Sequence, residues 1–212
     1  MMHSTLPLVH YHAPNTRSAS IRWLIEELGS PPHDLKVLNL QKGEHKSAAY
    51  LAINPMGKVP ALTHGSTVIT EAAAIALYLA DLFPLAKLAP PIGDPARGTY
   101  LRWIIFNQAC VEPAITDFAF KREPGPPSTL AYGSYEATIE ALAGALAKGP
   151  YILGETFSAA DIVVGSGVRW MLMFKLLPDR PEFTGYAGRL AARPALQRAI
   201  AADAALAAAQ AA

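Results

Sequence analysis

One cysteine in 212 residues, Cys110, excludes an internal disulfide and any Cys-x-x-Cys redox pair within this chain. Such usage suits a reducing compartment. Cys110 lies between Ala109 and Val111 and close to Phe106, so it reads as a packed thiol rather than a nucleophile. Charge of one sign is missing too: 18 Lys and Arg stand against 17 Asp and Glu, a formal net charge of +1, which leaves no basic field to attract nucleic acid. Nor is there an uninterrupted apolar run of the ~20 residues that a membrane span needs. The longest candidate, residues 162–177, is broken by Arg169 and Lys175 and reads as a core helix, so no membrane partner is expected. The first residues lack a charged segment leading into an apolar run and a small-residue cleavage site; no signal peptide is expected, and a cytoplasmic location is. No internal repeat is evident.

What is present describes a folded chain with a small-molecule ligand. Hydrophobic residues make up 51% and charged residues 17%, which suits one or two domains with a sizeable core. Residues 6–11 alternate as a strand, and residues 18–28 place Ile21, Leu24, Ile25 and Leu28 at helical spacing before Gly29 closes the helix. Residues 35–40 read as a second strand and residues 72–82 as a helix that ends before Phe83-Pro84. From residue 96 onward only helical patterns occur, near 97–120, 129–147, 159–175, 184–192 and 195–209, with breaks at Pro124-Gly125-Pro126-Pro127, at Gly149-Pro150 and at Pro178. The alanine-biased residues 204–212 are expected to fray. In Ser158-Ala159-Ala160-Asp161 the spacing is that of a capping box, with Phe157 and Ile162 placed as a hydrophobic staple; the constellation is structural and carries no chemistry.

The most informative stretch runs from Asn54-Pro55-Met56-Gly57 through Lys58-Val59-Pro60 to Ala61-Leu62. Asn54-Pro55 and Gly57 form turns, and Pro60 has no N–H to give to a ladder, so a strand begins beside it at Ala61. Val59-Pro60 is a candidate cis step, which would turn the N–H and C=O of Val59 outward to pair with an extended peptide. Next, His64-Gly65-Ser66 reads as a hairpin turn, and Thr70 is placed to cap the following helix. Free N–H groups at a helix start attract a carboxylate, and Glu71 in that turn is placed to accept from a ligand ammonium. A pocket so lined suggests a small peptide as ligand.

These residues resemble the glutathione transferase superfamily, whose thioredoxin-like domain carries a valine–cis-proline step and a Glu-Ser pair on the next helix. Nearly the whole chain takes part in the resemblance. The stretch from His10 through Gly29 is similar to the family's first strand and helix, Tyr100 through Pro113 to the first long helix of its all-helical domain, and Phe157 through Asp161 to its buried capping box. The resemblance implies an α/β thioredoxin-like N-terminal domain (βαβαββα, residues 1–83), a linker at 84–95, and an all-α C-terminal helical-bundle domain at 96–212 that contributes an electrophile pocket. It also implies a homodimer with no tightly bound cofactor, using glutathione as co-substrate to attack a small hydrophobic electrophile or an organic peroxide. The alternative is a non-catalytic binding or regulatory protein of the same fold.

On this resemblance the chemistry falls to the turn between the first strand and first helix. A thiol with an ordinary pKa near 8.5 needs roughly 2.7 kcal/mol to ionise two units lower. One hydrogen bond to a charged partner supplies ~1.5–3 kcal/mol and a helix N-terminus ~0.3–1 more. Four donors lie in reach by sequence, Tyr11, Asn15, Thr16 and Ser18. Counting back from Ile21 puts the serine or cysteine of the serine- and cysteine-type classes on Asn15, with Thr16 beside it. The same count puts the catalytic tyrosine of the tyrosine-type classes on Tyr11 and their glutathione-contacting arginine on Arg17. The two alignments compete; Asn15, whose amide donates without titrating, is favoured. By position, Val59 beside Pro60 would pair with the cysteinyl unit, Lys46 or Lys58 would meet the glycine carboxylate, and Glu71 with Ala72 would hold the γ-glutamyl end. Ala72 departs from the family serine. Ile105 and Glu112 replace an asparagine and a histidine of the beta class, which argues against that class. Tyr100, Trp103, Phe106 and Asn107 are candidates for the acceptor wall.

Overall fold

The alternation at the start of the chain does produce a strand, which starts two residues and ends one residue later than the pattern. In the computed structural model, which describes residues 6–211, β1 (Leu8–His12) turns Leu8, His10 and His12 to a buried face and Val9 and Tyr11 to the other. Then α1 (Ala19–Glu27) leads to β2 (Asp34–Val37), shorter than the stretch read from sequence, and the one-turn helix α2 (Ala48–Leu51). β3 (Ala61–His64) and β4 (Thr67–Thr70) form the expected hairpin around Gly65, whose φ of +59° suits glycine. α3 (Ala72–Leu82) follows. The sheet has the order β2-β1-β3-β4, with β1 parallel to β2 and antiparallel to β3, and β3 antiparallel to β4. This is the βαβαββα arrangement that the sequence implies.

The remaining helices are α4 (Ala96–Phe106), α5 (Glu112–Ala119), α6 (Tyr135–Leu146), α7 (Ala159–Met173), α8 (Pro181–Ala191) and α9 (Pro194–Ala211). What reads in sequence as one helix over 97–120 is α4, a π-helical segment Asn107–Val111, and α5. Pro113 accounts for the change: it has no N–H to donate and its ring crowds the preceding turn, which a widened turn accommodates. α6 begins six residues later than its periodicity implied, because Ser134 caps it by accepting from the Ala137 N–H at 3.1 Å. Among the described residues no helix is long and apolar enough to cross a membrane.

Two compact units result, one of the residues up to Lys87 together with those from Arg193 onward, the other Leu88–Ala192. The break between Lys87 and Leu88 falls within the linker read at 84–95, and the residues from Arg193 onward group with the first unit. α9 lies along α1, where Arg193 makes two bonds to the Glu27 carboxylate at 2.6 and 2.7 Å and Arg198 meets Glu26 at 2.7 Å. Forked pairs of this kind are stronger than neutral hydrogen bonds and fix orientation as well. The alanine-rich end stays helical to Ala211, and Gln210 Nε2 donates to the Leu38 carbonyl at 3.2 Å. The expectations for residues 1–5 and 212 concern positions outside the described residues.

In the second unit the capping box has the geometry read from its spacing. Asp161 accepts from the N–H groups of Ser158 and Ile152 at 2.9 and 2.7 Å and from the Tyr186 hydroxyl at 2.9 Å. Burial raises the Asp161 carboxyl above the usual carboxylate range, against the pull of those donors. Cys110 is half-buried and its thiol points to the Ala131 carbonyl at 3.4 Å; burial raises its pKa, the opposite of what an activated nucleophile needs.

Candidate functional site

Register across three strands assembles the site. Tyr11 pairs with Ala61, and Ala61 pairs with Thr70. The end of β1, the start of β3 and the end of β4 therefore lie side by side at one end of the sheet. Each strand hands over there to a segment singled out in the sequence: the turn 13–18 after β1, Val59-Pro60 before β3 and Glu71 after β4. Because β2 runs parallel to β1, residues 38–46 leave from the same end.

Val59-Pro60 is cis. The residue before it is clamped by two donors to one oxygen: the Lys58 carbonyl accepts from the Tyr50 hydroxyl at 2.6 Å and from Asn54 Nδ2 at 2.8 Å. Burial pushes the Tyr50 hydroxyl up to about 12, against the hydrogen bond with Asn54, so it remains a donor at any physiological pH. Gly57 is required in the preceding turn: its φ is +59°, and a Cβ there would lie 2.8 Å from the His45 carbonyl oxygen. Lys46 Nζ reaches over that turn to the Met56 carbonyl at 3.2 Å, while Lys58 is exposed.

Glu71 is exposed and sits at φ 66°, ψ 120°, a conformation non-glycine residues rarely adopt and one that clusters at ligand clamps. It is the residue before the first turn of α3, not a member of it. Thr70 does not cap that helix as its sequence position suggested, because it closes β4 opposite Ala61. Ala72, half-buried, opens the helix.

The turn after β1 separates the four thiol-donor candidates by accessibility. Asn15 is exposed and left-handed, with φ 58°. Tyr11 is half-buried, its ring 5.7 Å from that of Tyr50. Thr16 is half-buried, and its hydroxyl lies 2.7 Å from the Ala13 carbonyl, 2.8 Å from Ser18 Oγ and 3.2 Å from the Ser18 N–H. Ser18 is fully buried, and its hydroxyl accepts from the Ala13 N–H at 3.1 Å while facing the Ala13 carbonyl at 3.0 Å and His12 Nδ1 at 2.6 Å. A hydroxyl so enclosed cannot meet a ligand, so Ser18 drops out as a donor for structural reasons. Arg17 is exposed beside the turn.

The acceptor-wall candidates lie in the helical unit and are mostly interior. Tyr100, Trp103 and Asn107 are 0%, 5% and 2% exposed, and Phe106, half-buried, sets its ring edge-on to Trp103 at 5.3 Å. Positions 100, 103, 104, 107, 111 and 114 share one face of the helical run, and that face is the core seam. The aromatic spacing there marks packing.

Sequence reasoning did not find His12, Tyr50 or Asp203. His12 Nε2 lies 2.7 Å from Asp203 Oδ1, a close but bent contact, and Asp203 Oδ2 accepts from the Asn15 N–H at 3.0 Å. Partial burial raises the Asp203 carboxyl, but His12 and the Asn15 N–H outweigh it and hold the group below its ordinary value. Burial keeps His10 neutral, well below the usual imidazole range, with His12, His33 and Arg22 adding to the shift.

Comparisons with known proteins agree with this geometry. Residues 6–81 match the family model of the glutathione S-transferase N-terminal domain, and residues 112–202 that of the C-terminal domain. Glutathione S-transferase A of Pleuronectes platessa is 28% identical over 186 residues, 82% of this chain and 82% of its own length. Among solved structures, a glutathione transferase from Methylococcus capsulatus superposes with a TM-score of 0.79 at 29% identity, covering 93% of this chain and 98% of its own. A sphingomonad glutathione S-transferase complexed with glutathione gives 0.75 at 29%, covering 92% and 98%. With both domain models matched in order, and with relatives aligned along most of their length, the chain belongs to the glutathione S-transferase superfamily.

Proposed function

We propose that this glutathione transferase holds glutathione at the end of the sheet where β1, β3 and β4 hand over to their loops, and ionises its thiol with the Asn15 amide. The observation that carries the reading is the Tyr11–Ala61–Thr70 register, which sets the Asn15 turn, the Val59 backbone and Glu71 around one surface. Val59 pairs its main chain with the cysteinyl unit, Glu71 and the N–H of Ala72 hold the γ-glutamyl end, and Lys46 or Lys58 meets the glycine carboxylate. Asn15 is favoured over Thr16 because the Thr16 hydroxyl is engaged within its own turn. Tyr11 stands second, and Arg17 contributes positive charge beside the turn.

In the conjugation step the glutathione thiolate forms a carbon–sulfur bond as the leaving group departs with its electron pair. With an organic peroxide the thiolate takes the terminal oxygen and the alcohol is released; a second glutathione then gives the disulfide and water. The acceptor is a small hydrophobic electrophile, and the working form is a cytoplasmic homodimer.

The test is glutathione binding by calorimetry together with conjugation to a chlorodinitrobenzene. Saturable binding with turnover is expected, and no binding at millimolar glutathione overturns the reading. Sedimentation tests the dimer.

A further inference from the structure

From Asp203 a continuous chain of polar contacts runs into the turn that carries Asn15. Asp203 Oδ2 accepts from the Asn15 N–H at 3.0 Å, and Oδ1 faces His12 Nε2 at 2.7 Å. His12 Nδ1 meets Ser18 Oγ at 2.6 Å, and Ser18 Oγ meets Thr16 Oγ1 at 2.8 Å. Both ends of the turn are therefore tied to one carboxylate, which enters from α9, some 188 residues away in sequence.

The chain superficially has the order of a nucleophilic serine, a histidine and an aspartate. It cannot act as one. Ser18 and His12 are both 0% exposed, and the serine is surrounded by the Ala13 and Thr16 groups, so no substrate atom reaches it. What the arrangement does is geometric. Asn15 is left-handed, which costs free energy unless something holds it there. Its N–H points inward to Asp203, which leaves its exposed side chain on the outside of the turn. The carboxylate can only accept, so the tautomer with the proton on Nε2 suits the 2.7 Å contact with Asp203 and leaves Nδ1 facing the Ser18 hydroxyl as an acceptor.

We propose that Asp203 and His12 are positioning residues for thiol activation: acting through Ser18 and the Asn15 backbone, they hold the turn in the one conformation that presents the Asn15 amide. The proposal rests on the reading of that turn as the thiol site, and it gives the C-terminal helix a part in a reaction that takes place at the opposite end of the sequence. Asp203→Asn distinguishes positioning from mere packing. An asparagine carbonyl still accepts from the Asn15 N–H, and its amide donates to His12 Nε2 once the imidazole proton moves to Nδ1. Asp203→Ala removes both contacts.

Three measurements on the full chain decide the matter: exchange of the Asn15 amide proton by NMR without ligand, kcat and KM for glutathione, and titration of the bound thiol followed by thiolate absorbance. In Asp203→Ala the Asn15 amide should lose protection, kcat/KM for glutathione should fall roughly tenfold, as loss of a hydrogen bond to a charged group implies, and the thiol should titrate at higher pH. Asp203→Asn should keep the amide protected and recover most of the loss. Folded Asp203→Ala with the wild-type thiol titration overturns the proposal, as does an Asp203→Asn variant no better than alanine. Should Asp203→Ala fail to fold, Ser18→Ala cuts the same chain at its other end and should raise the thiol titration in the same direction; an unchanged titration there overturns it equally. If the wild-type protein binds no glutathione, the proposed function falls, and amide exchange alone decides whether Asp203 sets the turn.

Discussion

The Tyr50 hydroxyl donates to the Lys58 carbonyl at 2.6 Å, and this bond fixes the backbone immediately before Val59. Asn54 Nδ2 shares the same oxygen at 2.8 Å. Glutathione paired with Val59 would thus bind to a preorganised edge. Tyr50→Phe removes one of two donors, at about 1 kcal/mol. Glutathione affinity measured by calorimetry should fall by a few-fold. Tyr50→Phe combined with Asn54→Ala leaves the carbonyl without either donor and should cost more than the two single changes added together.

Removal of the Asn15 side chain should lower turnover far more than loss of the Tyr11 hydroxyl. Asn15→Ala gives up a donor to a thiolate, worth ~1.5–3 kcal/mol, and so about ten- to a hundredfold in kcat/KM. It also forces alanine into a left-handed conformation that asparagine tolerates, at a cost of about 1–2 kcal/mol in stability. Asn15→Gly separates the two effects, since glycine accepts that φ freely. Its turnover should match that of alanine while its melting temperature stays close to wild type. Tyr11→Phe with the larger loss in rate would move the donor role to Tyr11.

The fold was legible where local pattern and tertiary need coincide. Leu8, His10 and His12 alternate with Val9 and Tyr11, the Gly65 turn has its expected residues, and Val59-Pro60 marks the start of β3. The place of α9 was not legible. Its run of alanines has little periodicity, and the charges that orient it, Arg193 and Arg198, find partners 166 and 172 residues away at Glu27 and Glu26. Asp203 was hidden by the same distance, although an isolated acid in an alanine helix is the kind of signal that could have exposed it. Tyr100, Trp103 and Asn107 show the opposite failure, because helical spacing of aromatic and polar groups does not distinguish a pocket wall from a core seam.

If Glu71 holds the γ-glutamyl end as proposed, its backbone sets stability against binding. Its φ of 66° and ψ of 120° are strained for any residue with a Cβ, at a cost on the order of 1–3 kcal/mol. Glu71→Gly relieves that strain and gives back part of it through the greater freedom of the unfolded chain. The variant should therefore melt no lower than wild type, yet lose at least tenfold in glutathione affinity with its ammonium partner gone. Glu71→Gln keeps the strain and should lose affinity without the gain in melting temperature. A Glu71→Gly protein that binds glutathione as wild type does would remove Glu71 from the site.

His10 should make stability fall on mild acidification. It is fully buried, and neither ring nitrogen has a hydrogen-bond partner among the described residues. Burial first, then the neighbouring His12, His33 and Arg22, holds its pKa well below the ordinary value. An unfolded chain takes up that proton near pH 6.5, so between the folded pKa and about 6.5 the unfolded state binds more protons and stability rises with pH. As pH falls below about 6.5, the group withdraws up to about 1.4 kcal/mol per pH unit. Asp203, held below its ordinary value, acts in a separate window near and below about pH 4, where its contribution is lost as the carboxylate protonates. His10→Leu should flatten the dependence of melting temperature on pH between about 5 and 7 and leave the acid limb below about 4 in place. It should also raise stability at neutral pH, because an apolar side chain replaces an imidazole buried without partners. Equal slopes for the variant and wild type between pH 5 and 7 would move the proton uptake from His10 to another group.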